Sequence, residues 1–164
     1  ESGVTSILKN YYESGYLWNK IRNESGAYGV FLVVNKCSNV LSAVSYRDPH
    51  LDKTVKTYRS IPLATNHAEL DKAKNGAVAR LQPRCTCRDL FINVVDLVLS
   101  EETPDDTIKT FNEVLDADYD ECKERSEEFV KIFGEGTVSV AAYESKLKTA
   151  KDNGVIDKWE KMVE

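Results

Sequence analysis

One stretch constrains this chain more than any other: residues 17–49, LWNKIRNESGAYGVFLVVNKCSNVLSAVSYRDP. Trp18, Ile21 and Arg22 stand at i, i+3 and i+4, which predicts a helix carrying them along one side. The breaker pair Ser25-Gly26 ends that helix and requires a loop. Ala27 to Val34 then runs apolar on both alternating faces. Tyr28, Val30, Leu32 and Val34 fall on one side, Phe31 and Val33 on the other, the pattern of a strand covered on both faces. A polar break at 35–39 separates it from a second strand at 40–46, so a hairpin is expected. Asp48-Pro49 stops the second strand and supplies a helix N-cap and first helical residue.

These residues, L-W-x-x-I-R-x-x-x-G-A-Y-G followed by a hydrophobic strand and S-Y-R-D-P, resemble the C-terminal half of the pitrilysin/insulinase-type zinc metallopeptidases, in the presequence-protease-like branch. The close likeness covers about forty residues, with weaker agreement of helical pattern downstream. Many members carry two glycines before Ala-Tyr-Gly, whereas here the first is Ser25. The resemblance implies that Arg22 and Tyr28 reach across an enclosed chamber to a zinc site on an N-terminal half, helping to hold the peptide and to stabilise the developing oxyanion. A guanidinium offers a fixed fork of donors to peptide carbonyls, and a phenol can donate to a tetrahedral oxyanion. Gly26 and Gly29 would let substrate backbone approach closely. Read from spacing alone, Arg22 is a helix-end cation favoured by the macrodipole and Tyr28 a core-facing strand residue. Arg47 and Asp48 read as a cap and a surface ion pair, outside the site.

The family's zinc ligands and general base come from an inverted H-x-x-E-H motif. This chain has none, and its only histidines, His50 and His67, have no partner at ligand spacing. No metal is expected on this segment, zinc belonging to the parent enzyme. A different class enters through His67-Ala68-Glu69 and Pro83-Arg84-Cys85-Thr86-Cys87, which approach the zinc deaminase signature H-x-E and P-C-x-x-C. Here the cysteine pair is C-x-C and an Arg intervenes after the Pro.

The rest of the chain reads as one domain over residues 1–164, of α+β class, in which the hairpin and a further strand pack against several helices as part of a metallopeptidase-like α/β roll. With 164 residues, 41% of them hydrophobic, it can bury its own core. Helices are expected over 5–23, 49–60, 66–81, 86–99, from Thr103 onward, and over 118–133. Gly15 weakens the first by roughly 1 kcal/mol relative to Ala. The helix over 86–99 is strongly apolar through Leu90, Phe91, Val94, Val95, Val98 and Leu99, so it should be the most buried and back the sheet. In the helix after Thr103, Ile108, Phe111 and Leu115 should face inward. Residues 137–143 alternate and should form the further strand, followed by a short helix, an Asn153-Gly154 break and a final helix containing Trp159.

A net charge of −5 without a basic stripe disfavours nucleic acid. No apolar run approaches membrane-spanning length. The four cysteines (Cys37, Cys85, Cys87, Cys122) lack disulfide-scaffold spacing, so reduced thiols are expected. The sequon Asn23-Glu24-Ser25 lies inside the loop of interest, where a glycan would block access, which favours the cytosol, mitochondrion or another organelle interior. Because the chain opens on Glu1 and on what looks like the middle of a family domain, it reads as a fragment, inactive alone, whose partners are the N-terminal catalytic half and a peptide substrate. The alternative is a noncatalytic interaction or chamber-wall module of a parent that has lost zinc chemistry.

Overall fold

A computed structural model describes residues 2–35, 38–82 and 86–161 of the chain. Helix α1, Gly3–Tyr11, begins at Ser2, whose hydroxyl accepts the Thr5 N–H at 3.2 Å. It passes without a break into a π-helical segment, Tyr12–Asn23. The i→i+5 bonding of that segment widens each turn, and its buried residues Tyr12, Leu17 and Ile21 are spaced by five and four. Of the three residues expected along one side, Trp18 and Arg22 do meet, the guanidinium 4.2 Å from the indole centroid, while Ile21 alone enters the core. Ile21 is fully buried, Trp18 half-buried and Arg22 exposed.

Strands β1, Gly29–Asn35, and β2, Val40–Tyr46, form an antiparallel hairpin with Gly29 opposite Tyr46, Phe31 opposite Val44 and Val33 opposite Ser42. Val30 and Leu32 point into the core. The opposite face is not covered: Phe31 is 49% exposed, and Val33, Val44 and Tyr46 are also exposed. The expected two-sided burial is therefore replaced by one-sided burial, because no described element lies over the second face. The hairpin is tied to the helices by Glu13, whose two carboxylate oxygens accept the Leu32 N–H at 2.8 Å and Arg80 Nη2 at 2.7 Å.

Helix α2, Leu51–Arg59, starts two residues later than the Asp-Pro signal suggests, with His50 as N-cap; the Asp48 carboxylate instead accepts the His50 N–H at 2.9 Å. Helix α3, His67–Leu81, is capped by Asn66. Helices α4 (Cys87–Leu99), α5 (Pro104–Asp116) and α6 (Tyr119–Glu135) open on local caps. In α4 the Asp89 carboxylate accepts from Thr86, and α5 and α6 carry reciprocal boxes, Thr103 with Asp106 and Asp118 with Glu121. Helix α7, Glu144–Asp152, is followed by the Asn153-Gly154 break, with Gly154 in the left-handed region. Among the described residues, the mixture of helices with one two-stranded antiparallel sheet is α+β.

The core is built by Leu8, Tyr12, Leu17 and Ile21 against Leu70, Ala73 and Ala77 of α3, Val114 of α5, and Cys122, Phe129 and Phe133 of α6. Tyr12 stacks on Phe129 at 5.7 Å and donates its hydroxyl to Pro62 O at 2.9 Å. Helix α4 contributes nothing to this cluster. Phe91 is 69% exposed and Val98 70% exposed, so the expectation that α4 is the most buried helix and backs the sheet is overturned. Apolar composition qualified it for burial, but the side of the sheet facing the core is already covered by the π-helical segment. In α5 the buried residue is Val114, while Ile108 and Leu115 are exposed and Phe111 is half-buried. Among the described residues, 137–143 pair with no strand and 155–161, which include Trp159, form no helix.

Candidate functional site

The turn between the π-helical segment and β1 is built by backbone hydrogen bonds that fold the chain back on the helix end. Glu24 N donates to Asn19 O at 2.9 Å, Gly26 N to Arg22 O at 3.0 Å, and Ala27 N to Ile21 O at 3.1 Å. Gly26 takes φ +78°, a conformation that glycine adopts without steric penalty. Ser25, standing where many resembling sequences have glycine, is buried and donates its hydroxyl to Lys20 O at 2.7 Å. The serine thus closes the helix end with a side-chain hydrogen bond.

Tyr28 sits one residue before β1, its N–H donating to Tyr46 O at 3.0 Å. Its side chain is 67% exposed, unlike Val30 and Leu32, so the expected alternation fails at this position. The ring meets that of Tyr46 edge to face, with centroids 6.0 Å apart. Arg22 lies across the turn from it. The guanidinium rests 4.2 Å from the Trp18 ring centroid, and Nε donates to Tyr28 O at 3.1 Å. A cation held by an aromatic face and by a backbone carbonyl is oriented before any ligand arrives. Arg22, Asn23, Gly26, Ala27, Tyr28 and Arg47 line one open recess.

Three of the four sequence-predicted site residues, Arg22, Tyr28 and Gly26, therefore meet in one place. Gly29 is adjacent but its missing side chain is used internally. A Cβ there would lie 3.0 Å from the Phe31 ring, so its smallness accommodates Phe31. Arg47 and Asp48 read from sequence as a cap and a surface ion pair, but among the described residues they form no ion pair. The Arg47 guanidinium lies 5.8 Å from the Tyr28 centroid and 5.4 Å from that of Tyr46. Asp48 instead turns inward, with Oδ2 buried and without a hydrogen-bond partner. The signal that could have marked Arg47 is its place directly after Tyr46, the residue opposite Gly29 in the hairpin.

The two histidines are far apart in role. His67 stacks on Tyr119 at 4.0 Å, and Tyr119 donates to Asp71 Oδ1 at 2.8 Å. His50 borders a second recess with Glu24, Asp52, Ser145 and Lys146. Among the described residues no group of three or more His, Cys, Asp or Glu side chains is arranged to hold a metal ion. Pro83 and Cys85 of the deaminase-like pattern, and Cys37, lie outside the described residues. Cys122 is buried, and burial raises its thiol pKa, which keeps it protonated.

Residues 2–78, which hold the whole recess, match the family described as the PreP C-terminal domain. Over 156 residues the chain is 30% identical to Protein HypA of Clostridium perfringens (strain 13 / Type A), covering 92% of this chain and 16% of that protein. It is 38% identical over 56 residues to presequence protease 1, chloroplastic/mitochondrial, of Arabidopsis thaliana, covering 34% of this chain and 5% of that protein. The same identity and length relate it to the mitochondrial presequence protease of Kluyveromyces lactis, covering 34% of this chain and 6% of that protein. The chain thus spans a small part of these relatives, and its similarity is to the C-terminal portion of presequence proteases.

Proposed function

We propose that this chain is a single C-terminal domain of a presequence-protease-like zinc metalloendopeptidase, forming chamber wall and touching the bound peptide through Arg22 and Tyr28. The observation that carries this is that Arg22 and Tyr28 line one open recess and are joined by the 3.1 Å Nε–O hydrogen bond. A phenol exposed beside an oriented guanidinium is available to a ligand, which a core-facing tyrosine is not. In this reading Tyr28 donates its hydroxyl to the oxyanion of the scissile carbonyl. The outer fork of Arg22 holds peptide backbone.

No group of described side chains is arranged to hold the zinc expected of such a peptidase, and in this reading its ligands belong to an N-terminal half, the domain's partner together with the peptide. Of the intracellular settings, cytoplasm or organelle interior, the organelle interior accords with the names of the plant and yeast relatives. No helix among the described residues is long and apolar enough to cross a membrane. A wall or interaction module without zinc chemistry is favoured by one observation, the uncovered apolar faces of the hairpin and α4.

Tyr28→Phe in the longer protein separates these readings. Loss of the hydroxyl should lower kcat by roughly 100-fold with little change in KM, as for removal of a single oxyanion donor. Arg22→Lys keeps charge but loses the fork and the Nε bond, so KM should rise as well. Wild-type kcat in folded Tyr28→Phe rules out the catalytic role.

A further inference from the structure

The recess has a charge character that the peptide-contact reading does not require. Its lining includes two guanidiniums and no carboxylate, on a chain whose net charge is −5. The acids nearest in sequence are otherwise engaged. Glu24 pairs with Lys20 at 2.9 Å. Asp48 accepts the His50 N–H through Oδ1 and buries Oδ2. Among the described residues neither Arg22 nor Arg47 makes an ion pair with an acid.

The second guanidinium is held in place. Arg47 has φ +50°, a left-handed conformation in which glycine or asparagine is the usual choice. From that backbone its side chain reaches both the Tyr28 and Tyr46 rings. Arg22 is fixed on the other flank of Tyr28 by Trp18 and by the Tyr28 carbonyl, with Nε already engaged and the two terminal amino groups left to face a ligand. Two arginines restrained by aromatic faces lose little freedom when a ligand arrives, and a carboxylate is the planar anion that accepts from such forks.

We propose that Arg47 acts with Arg22 to make this recess a carboxylate site, so that Arg47 determines specificity for peptides bearing an acidic side chain or a free C-terminus at the bound position. This deepens, and rests on, the reading of the recess as a peptide contact. Arg47 is a binding residue here, with no part in proton transfer or bond cleavage.

The test uses the 164-residue chain and acetylated, unstructured Gly/Ser/Ala peptides in three forms. One has a single Glu and an amidated end, one a Gln and a free carboxylate end, and one a Gln and an amidated end. Binding is followed by calorimetry and by the arginine Nε–H NMR signals, at low and high salt. At least one carboxylate peptide should bind roughly tenfold tighter than the neutral one at low salt, the order expected of a charge-assisted bidentate contact. High salt should shrink that preference. Which peptide gains identifies the carboxylate as side chain or chain end.

Arg47→Gly removes the guanidinium while suiting the left-handed backbone, so the variant should stay folded by circular dichroism and lose the preference. Arg47→Lys should retain part of it. Equal or unmeasurable binding of all three peptides overturns the proposal, as does an undiminished preference in folded Arg47→Gly. These outcomes are independent of kcat in Tyr28→Phe. No preference in the wild-type chain beside a crippled Tyr28→Phe enzyme removes only the carboxylate site. An intact preference beside a fully active Tyr28→Phe enzyme removes only the catalytic reading.

Discussion

Buried phenols make the stability of this domain depend on alkaline pH. Burial pushes the Tyr58 hydroxyl up from its model-compound value of 10.0 to about 12, with the charge of Asp48 adding to the effect. Tyr12 is raised further in the same direction, also mainly by burial. The unfolded chain ionises these groups near pH 10 while the folded chain keeps them neutral. Their contribution is therefore fully present below pH 10 and is lost as pH rises toward the folded value. Melting temperature should fall between pH 10 and 12, and Tyr58→Phe should flatten part of that fall; an unchanged slope in Tyr58→Phe means that its phenol does not carry the effect. Glu13 is a second residue on which much depends, since one carboxylate serves both the Leu32 N–H and Arg80. Glu13→Ala leaves a strand N–H and a guanidinium without their partner and should cost about 1–3 kcal/mol in denaturant unfolding. A loss below a few tenths of a kcal/mol would show that water replaces it.

Helix packing depends on two glycines for reasons other than backbone freedom. A Cβ on Gly3 would fall 2.5 Å from Val114 N and 2.6 Å from the Glu113 carbonyl carbon, so α1 meets the backbone of α5 there directly. A Cβ on Gly76 would fall 1.9 Å from Asn10 Nδ2, which donates to Ala73 O at 3.0 Å inside the α1–α3 contact. Gly→Ala in a helix interior normally stabilises by roughly 1 kcal/mol. At Gly76 the displaced Asn10 amide and the lost buried hydrogen bond outweigh that gain, for a net loss of about 1–2 kcal/mol. At Gly3 the obstacle is backbone, which cannot rotate aside, so Gly3→Ala should be the worse of the two. Thermal melts of both variants check the order, and a Gly76→Ala protein more stable than wild type would show that α1 and α3 are not in such close contact. The π-helical segment is the third elemental feature. Its wider turns bury Leu17 and Ile21 while turning Arg22 outward, which is what delivers the guanidinium to the recess.

Over the whole molecule, one set of apolar surfaces forms the core and another is left open. Phe91→Asp or Val94→Asp should shift the unfolding free energy of this chain by no more than about 0.5 kcal/mol, as at exposed positions. Leu8→Ala, in the core cluster, should cost about 2–5 kcal/mol. Comparable losses in all three would mean that α4 is packed after all. The sequence by itself determined what depends on neighbours within about four residues. It placed the openings of α5 and α6, through Thr103 with Asp106 and Asp118 with Glu121, and the breaks at Gly26 and Gly154, whereas Arg22 and Tyr28 were marked by a family resemblance and not by spacing, which reads Tyr28 as core-facing. Only the tertiary structure decided which apolar faces are covered, that residues 137–143 find no strand partner, and that Arg47 lies over Tyr28 and Tyr46 while Asp48 turns inward. The physical reason is range. Caps and turns are satisfied by atoms already close along the chain, whereas burial is set by the surfaces that distant elements present, and an apolar stripe such as that of α4 specifies a need for cover without specifying its source.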